Sequence, residues 1–326
     1  MRRGLRRAIV SGLRGAAAVA VCMRLRCSSA RVGLTLCYHA VEPEAGDPAR
    51  HLSAPVARAM FKRQLRHLRR WYRVVPASAL PSAVAGRSRW QRLPVAISFD
   101  DDLTSHLDHA VPVLEEVELP ATFFLTGAAA TEHPASFWWQ LLQRAWDRGM
   151  IDGGVLDSWG VVHDEPVPTI RDVARAVQAM PPVQRDAVSE ALRSLLGDEP
   201  TSATLSREQI ALLAGRGFEI GFHTKRHDDL VNLPDEALAD AMVVGRADLE
   251  GMAGRSMCVV AYPHGRADTR VAQAAEAAGF VAGYVVDGTA VSPDTPMHLL
   301  GRRYPARGSI GAFSLDLARA LFAATR

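Results

Sequence analysis

The sequence predicts an α/β domain built on a mostly parallel sheet or barrel, on two observations. Short apolar runs alternate with amphipathic stretches along most of the 326 residues. Three clusters of acidic, imidazole and turn-forming residues also stand at or just beyond the ends of apolar runs, where folds of this class gather their functional groups. Composition agrees: 48% hydrophobic and 22% charged residues, with a mean hydropathy of zero, describe a folded chain. One large domain or two ordinary ones fit the length, and disordered, collagen-like and disulfide-scaffold classes are excluded.

The first 31 residues carry eight Arg and no acid, and Arg14 breaks their apolar core. The uninterrupted stretch from Gly15 to Met23 is too short for a bilayer span, which takes about 20 residues. It reads as a basic helix lying on a membrane face, with a degenerate export signal as the alternative. The domain proper is expected over residues 32–326, cytoplasmic or peripherally membrane-associated. A net charge of +3 conceals an asymmetry, because residues 1–92 hold 18 Arg and one Lys against three acids while 93–326 hold 19 basic and 32 acidic residues. The excess suggests an anionic membrane surface as neighbour, with no nucleic acid expected; the rival reading is compositional bias, since Lys62 and Lys225 are the only lysines. Cys22, Cys27, Cys37 and Cys258 form no CxxC pair and read as reduced, mostly buried thiols.

Strands are expected at Leu34–His39, Val95–Phe99, Ala121–Thr126, Phe218–Phe222, Met257–Tyr262 and Phe280–Val286, each a short apolar run. Helical patterns cover Val56–Trp71, Ala110–Val117, Asp235–Met252 and Thr269–Ala278. Ser206 and Gln209 form a capping box, and Gly215 and Gly217 end the helix that follows. From about 129 to 204 the alternation stops. An aromatic-rich helix, a Gly- and Asp-rich turn around Met150–Gly160 and two amphipathic stretches read as a helical insertion between two strands. Trp138, Trp139 and Trp146 are expected to be its core contacts rather than a sugar platform.

The first chemical cluster is VAISFDDDLTSH, a strand delivering Asp100, Asp101 and Asp102 in succession. Adjacent carboxylates repel, and a bound cation keeps them ionised together. In GFEIGFHTKRHDDL, His223 and His227 are four apart, a spacing that on a helical turn lets both imidazoles share a divalent metal. Two histidines and a carboxylate are the facial ligand set of hydrolytic metal sites. The third, CVVAYPHGRAD, ends a strand in Pro263 and Gly265, a turn that can aim backbone N–H groups at an oxyanion. The Asp run also fits the nucleophile motif of haloacid-dehalogenase-type phosphatases. That chemistry needs a downstream lysine and a later acidic motif, and Lys225, between the two histidines, is the only downstream lysine.

These residues resemble the polysaccharide deacetylase family, the NodB-homology domain of carbohydrate esterase family 4. SFDDD resembles its T-F-D-D-G motif, HTKRH its H-[ST]-x-x-H motif, and AYPHG stands where the family has R-x-P-[YF]-G; LTLCYHAV and PATFFLTG add to the match, in order from about residue 34 to 305. The resemblance implies a distorted (β/α) barrel with the helical insertion, and metal-assisted removal of N-acetyl groups from amino sugars. It implies Asp100 as general base, with Asp101, His223 and His227 holding a divalent metal, foremost Zn, with Co, Ni or Mn as others.

This chain departs from the family pattern in several places. Ala261 stands where the family has the arginine that orients the base, so Arg302 or Arg303 is the expected partner of Asp100. Asp102 replaces a glycine and His264 an aromatic residue. No late histidine motif supplies a general acid; His39 is the first candidate and His298 the second, with the backbone N–H near His264 holding the oxyanion. Tyr262, Pro263 and Arg302 are expected to contact substrate. The leading function is deacetylation of an acetylated cell-envelope glycan or lipid-linked sugar. The alternative is a catalytically silent member that binds glycan or metal, and O-acetyl or formyl groups are further substrates of the same chemistry.

Overall fold

The computed structural model describes residues 2–128, 137–162, 168–197 and 204–325. The chain begins with α1 (Arg2–Arg26), β1 (Leu34–Tyr38), and the paired short strands β2 (Val41–Glu42) and β3 (Val56–Ala57). Then come α2 (Arg58–Trp71), β4 (Arg73–Val75), α3 (Leu80–Ala85), β5 (Pro94–Asp100), α4 (Val111–Val117) and β6 (Thr122–Leu125). Helices α5 (Trp138–Asp147), α6 (Gly153–Ser158), α7 (Ile170–Gln178) and α8 (Pro182–Leu196) precede α9 (Arg207–Gly215) and β7 (Glu219–Phe222). The C-terminal part holds α10 (Asp235–Val243), α11 (Arg246–Ala253), β8 (Val259–Ala261), α12 (Thr269–Ala277), β9 (Ala282–Val285), β10 (Leu300–Arg303) and α13 (Ile310–Ala323).

Seven parallel strands close a barrel in the order β1, β10, β9, β8, β7, β6, β5, with β5 pairing back to β1. The fold is therefore the expected (β/α) barrel. β1 occupies one edge of β5 along Val95–Phe99. β4 takes the first half of the other edge and β6 the second, so β4 sits beside the barrel wall without entering the ring. β10 and β4 escaped the sequence reading because LGRR and RVV are too short to show a pattern and each carries arginine. The basic and acidic parts of the chain meet in this wall, as β1 belongs to one and β5 to the other.

Period-two alternation divides the strand residues between two apolar clusters. Leu34, Leu36, Val95, Ile97, Phe99, Phe123 and Val260 join the larger cluster under the surrounding helices. Ala96, Phe124, Val259, Ala261, Ala282, Tyr284 and Leu300 form the smaller one, the barrel interior. Small residues are needed there because Phe124 and Tyr284 fill the space. At Gly221 an added Cβ would lie 2.5 Å from the Phe124 ring. The same alternation carries Cys37, Asp100, His223 and Arg302 inward at the top of β1, β5, β7 and β10.

Helix boundaries follow the expected signals with some corrections. Ser206 caps α9 and Gln209 completes the box. The pattern over Asp235–Met252 splits into α10 and α11, because Gly245 turns left-handed at φ +83° between them. The expected turn around Met150–Gly160 contains α6, capped by Asp152. Helices α5 to α8 build their own core from residues such as Leu141, Leu156, Val173 and Leu192. Of the expected insertion, 129–136, 163–167 and 198–203 lie outside the described residues.

The basic N-terminal segment forms α1, which packs along α13. Ala18, Cys22 and Leu25 are buried in the main core, and the Cys22 thiol lies 3.0 Å from the Tyr72 hydroxyl. No helix among the described residues is long and apolar enough to cross a membrane.

Between α2 and α13, His67 stands 5.9 Å from both the Tyr72 and Phe313 rings, with Nδ1 3.3 Å from the Ser314 hydroxyl and a buried, unpartnered Nε2. Burial first, and the Arg70 charge second, push its pKa from 6.5 to about 4. The unfolded chain takes up this proton at higher pH than the folded one. Its contribution to stability is thus full above pH 6.5 and lost as pH falls towards 4, on the order of 2 kcal/mol after allowing for partial exposure. His67→Gln should flatten the stability slope between pH 7 and pH 4 in urea titrations; an unchanged slope would assign it to other groups.

Candidate active site

Asp100, the last residue of β5, is buried. The Arg302 guanidinium, reaching across the barrel from β10, donates Nη1 to its Oδ1 at 2.5 Å and Nη2 to its Oδ2 at 2.8 Å. Arg302 is itself fully buried, with its guanidinium 5.3 Å from the centre of the Phe124 ring. The Cys37 thiol donates to Asp100 Oδ2 at 3.4 Å. Burial alone would raise the Asp100 pKa, but the Arg302 charge, followed by His223 and His39, holds it below the usual carboxylate range. The result is a carboxylate kept ionised and oriented. Arg302 thus stands behind Asp100 and outside the cavity lining, which corrects its expected contact with substrate.

Asp101, His223 and His227 converge next to it. Asp101 Oδ1 lies 3.8 Å from His223 Nε2 and 3.6 Å from His227 Nε2, and one donor atom from each of the three falls within 4.8 Å of the others. His223 Nδ1 is 2.7 Å from the Ala261 carbonyl. That contact makes Nδ1 the protonated nitrogen and leaves the Nε2 lone pair facing Asp101. Asp101 Oδ1 and His227 Nδ1 are buried without a hydrogen-bond partner. Burial and the adjacent Asp100 and Asp102 charges push the Asp101 pKa well up, and burial pushes both imidazoles down. A buried carboxylate and two neutral imidazoles aimed at one point fit a divalent cation, which would reverse the penalty on Asp101.

The two histidines do not share a helical turn, as their spacing suggested. His223 directly follows β7, and a tight turn, with the His227 N–H on the Thr224 carbonyl at 3.3 Å, brings His227 back. Thr224 (φ +55°), His227 (φ +50°), Asp101 (φ +71°) and His264 (φ +58°) are four of the six described non-glycine residues with positive φ. Such strain persists where surrounding contacts over-determine the backbone. Here ion pairs do so: Arg185 from α8 pairs with buried Asp228, and Arg266 with Asp229 at 2.6 Å. Helix α8 of the insertion therefore braces the histidine loop.

Asp102 has no place among the donors. Its Oδ1 accepts the Thr126 N–H at 2.7 Å and its Oδ2 the Thr126 hydroxyl, and burial raises its pKa to about 6. It ties the β5 loop to the end of β6, a task the glycine of the family pattern cannot perform. Tyr262 and Pro263 are buried as well, and the Tyr262 hydroxyl donates to the His298 carbonyl at 2.9 Å. Neither lines the cavity, which corrects their expected substrate contacts. His298 Nε2 is 2.7 Å from the Phe280 carbonyl, and this residue too lies outside the cavity lining.

The cavity above these groups has a volume of about 290 Å³. Asp100, Asp101, His223 and His227 are part of its lining, and His39, His264, Trp139 and Tyr304 form other parts. Burial lowers His39 to about 4 and His264 to about 3, so both rings are neutral at neutral pH. The Trp139 ring is 4.3 Å from His227 and stacks on Phe137 at 4.3 Å. Trp138 is buried in the core of the insertion, as expected, but it and Trp139 also reach the cavity, which the spacing of an amphipathic helix did not reveal.

A family model described as polysaccharide deacetylase matches residues 90–154 and 185–283. The structure is similar to that of a deacetylase from Streptococcus pyogenes solved with acetate, at 15% identity and TM-score 0.60, over 88% of this chain and 98% of that one. It is also similar to a polysaccharide deacetylase from Bacillus cereus, at 15% identity and TM-score 0.57, over 88% and 69%. A third similar structure is IcaB from Ammonifex degensii, at 20% identity and TM-score 0.54, over 87% and 97%. No curated protein sequence matches the chain.

Proposed function

Because this chain belongs to the polysaccharide deacetylase family, we propose that it is a metal-dependent hydrolase that removes N-acetyl groups from amino sugars of a polysaccharide or lipid-linked glycan. The observation that carries this reading is a carboxylate held ionised by Arg302 beside the three-residue donor set of Asp101, His223 and His227. A divalent cation there, foremost zinc, would polarise the acetamide carbonyl and bring the pKa of a water to about 7.

Asp100 takes the proton from the attacking water, for which an ionised carboxylate of fixed orientation is required. The His264 backbone N–H, at the turn beside the cavity, is the donor assigned to the oxyanion. His39, neutral and clustered with Asp100 and Cys37, passes a proton from the base to the leaving amine. The silent-member alternative loses its first motive, since Arg302 provides the guanidinium that Ala261 lacks.

The test is acetate release from N-acetylated oligosaccharides. Treatment with a strong chelator should abolish it and added Zn²⁺ restore it, while Asp101→Ala should lower the metal content of the purified protein. Release that survives chelation, together with unchanged metal content in Asp101→Ala, would sink the reading.

A further inference from the structure

A second cavity of about 350 Å³ adjoins the catalytic one and shares His39, Leu52, Ser53, Arg171 and Tyr304 with it. Its lining contains two arginines, Arg171 and Arg307, and no acidic residue. Arg171 Nη2 donates to the carbonyls of Pro48 and His51 at 2.8 and 3.0 Å, which fixes the guanidinium without neutralising it. Arg307 is half-buried, and burial first, with the Arg171 charge contributing, lowers its pKa. Among the described residues, neither arginine is paired with a carboxylate. Two like charges facing one concavity destabilise the empty site, and an anion between them relieves that repulsion.

We propose that Arg171 and Arg307 form a subsite for an oxyanion carried by the glycan, so that the substrate class is an anionic, N-acetylated sugar. The proposal rests on the deacetylase reading of the neighbouring cavity. That cavity lies at the small end of ligand pockets, roughly 300–1,000 Å³, and suits about one sugar. The shared wall places the anion within one sugar's reach of the acetamido group. Two sources supply this chemistry: the phosphate of a glycosyl phosphate, as in a lipid-linked sugar, and the carboxylate of an adjoining uronic acid.

Binding to the wild-type protein is measured by calorimetry with three deacetylated probes: glucosamine, glucosamine 1-phosphate, and a disaccharide of glucosamine and glucuronic acid. At least one anionic probe should bind about tenfold tighter than glucosamine, as expected for a gained charge-assisted contact. That preference should collapse in Arg171→Gln and Arg307→Gln, survive in large part in Arg307→Lys, and shrink as salt is raised. Preference for the phosphate names the glycosyl phosphate as source, and preference for the disaccharide names an acidic polysaccharide. Equal affinity for all three probes, or a preference untouched by both glutamine substitutions, overturns the proposal. Binding is read without turnover, so arginine-dependent affinity in a protein that releases no acetate from anionic or neutral N-acetyl sugars would refute the deacetylase reading and leave the subsite standing.

Discussion

Asp100→Asn should lower the rate of acetate release by roughly 10²–10⁴-fold, the range supplied by a positioned general base. Asparagine keeps the shape of the side chain but cannot accept the proton of the attacking water. The substitution also turns an amide NH₂ towards a guanidinium that now has no counter-charge. Arg302 is fully buried and Asp100 nearly so, and removing one partner of such a pair costs about 3–5 kcal/mol. The variant is therefore expected to be both slow and less stable, and the two effects separate experimentally. Rates are taken well below the melting temperature, and metal content is measured on the same sample, because Asp101, His223 and His227 remain. A folded, metal-loaded Asp100→Asn protein that keeps more than a tenth of the rate would remove Asp100 from the role of base.

The chemistry at strand ends was readable because it depends on residues close in sequence. Asp100 and Asp101 are neighbours, His223 and His227 are four apart, and each group follows an apolar run that fixes where its strand stops. The alternation of elements left a parallel sheet or a barrel open, and the resemblance to the family implied the barrel. What was not readable depends on contacts between distant segments. Trp139 comes to His227 because α5 folds back over the barrel mouth, and its position on an amphipathic helix predicted only core packing. The role of Asp102 depends on Thr126, just beyond the next strand, so in the sequence it stood only as one more acid of the run, in place of the family's glycine. The basic N-terminal helix was expected on a membrane face because its arginines dominate the composition. Its thin stripe of Ala18, Cys22 and Leu25 decides its place against the core. The family's arginine was missing at position 261, and the search for a substitute left Arg302 and Arg303 open; Arg302 takes the role and Arg303 pairs with Asp316 instead, although the four residues LGRR gave no sign of being a strand.

Arg302→Met tests that substitution of one strand for another, and its effects differ from those of Asp100→Asn. Both changes break the same buried pair, so a loss of about 3–5 kcal/mol is again expected near neutral pH. In this variant, however, the carboxylate is the group left alone. In the wild type, Arg302 holds the Asp100 pKa below that of the unfolded chain. The pair's contribution is then present above the unfolded value, about 4, and lost as pH falls through the folded one. Without Arg302, burial dominates and the folded pKa rises above the unfolded value. The stability deficit of Arg302→Met relative to wild type should therefore shrink as pH is lowered towards 4, and the acid limb of kcat/KM should move to higher pH. Loss of packing alone would leave the deficit and the limb independent of pH. Adding Ala261→Arg to this variant returns a guanidinium to the position the family pattern assigns it, two strands away on β8, facing the same barrel interior. If the base needs only a buried cation behind it, the double variant should recover activity and restore the acid limb. If the limb never moves in Arg302→Met, the ion pair is architectural and Asp100 owes its ionised state to the metal site alone.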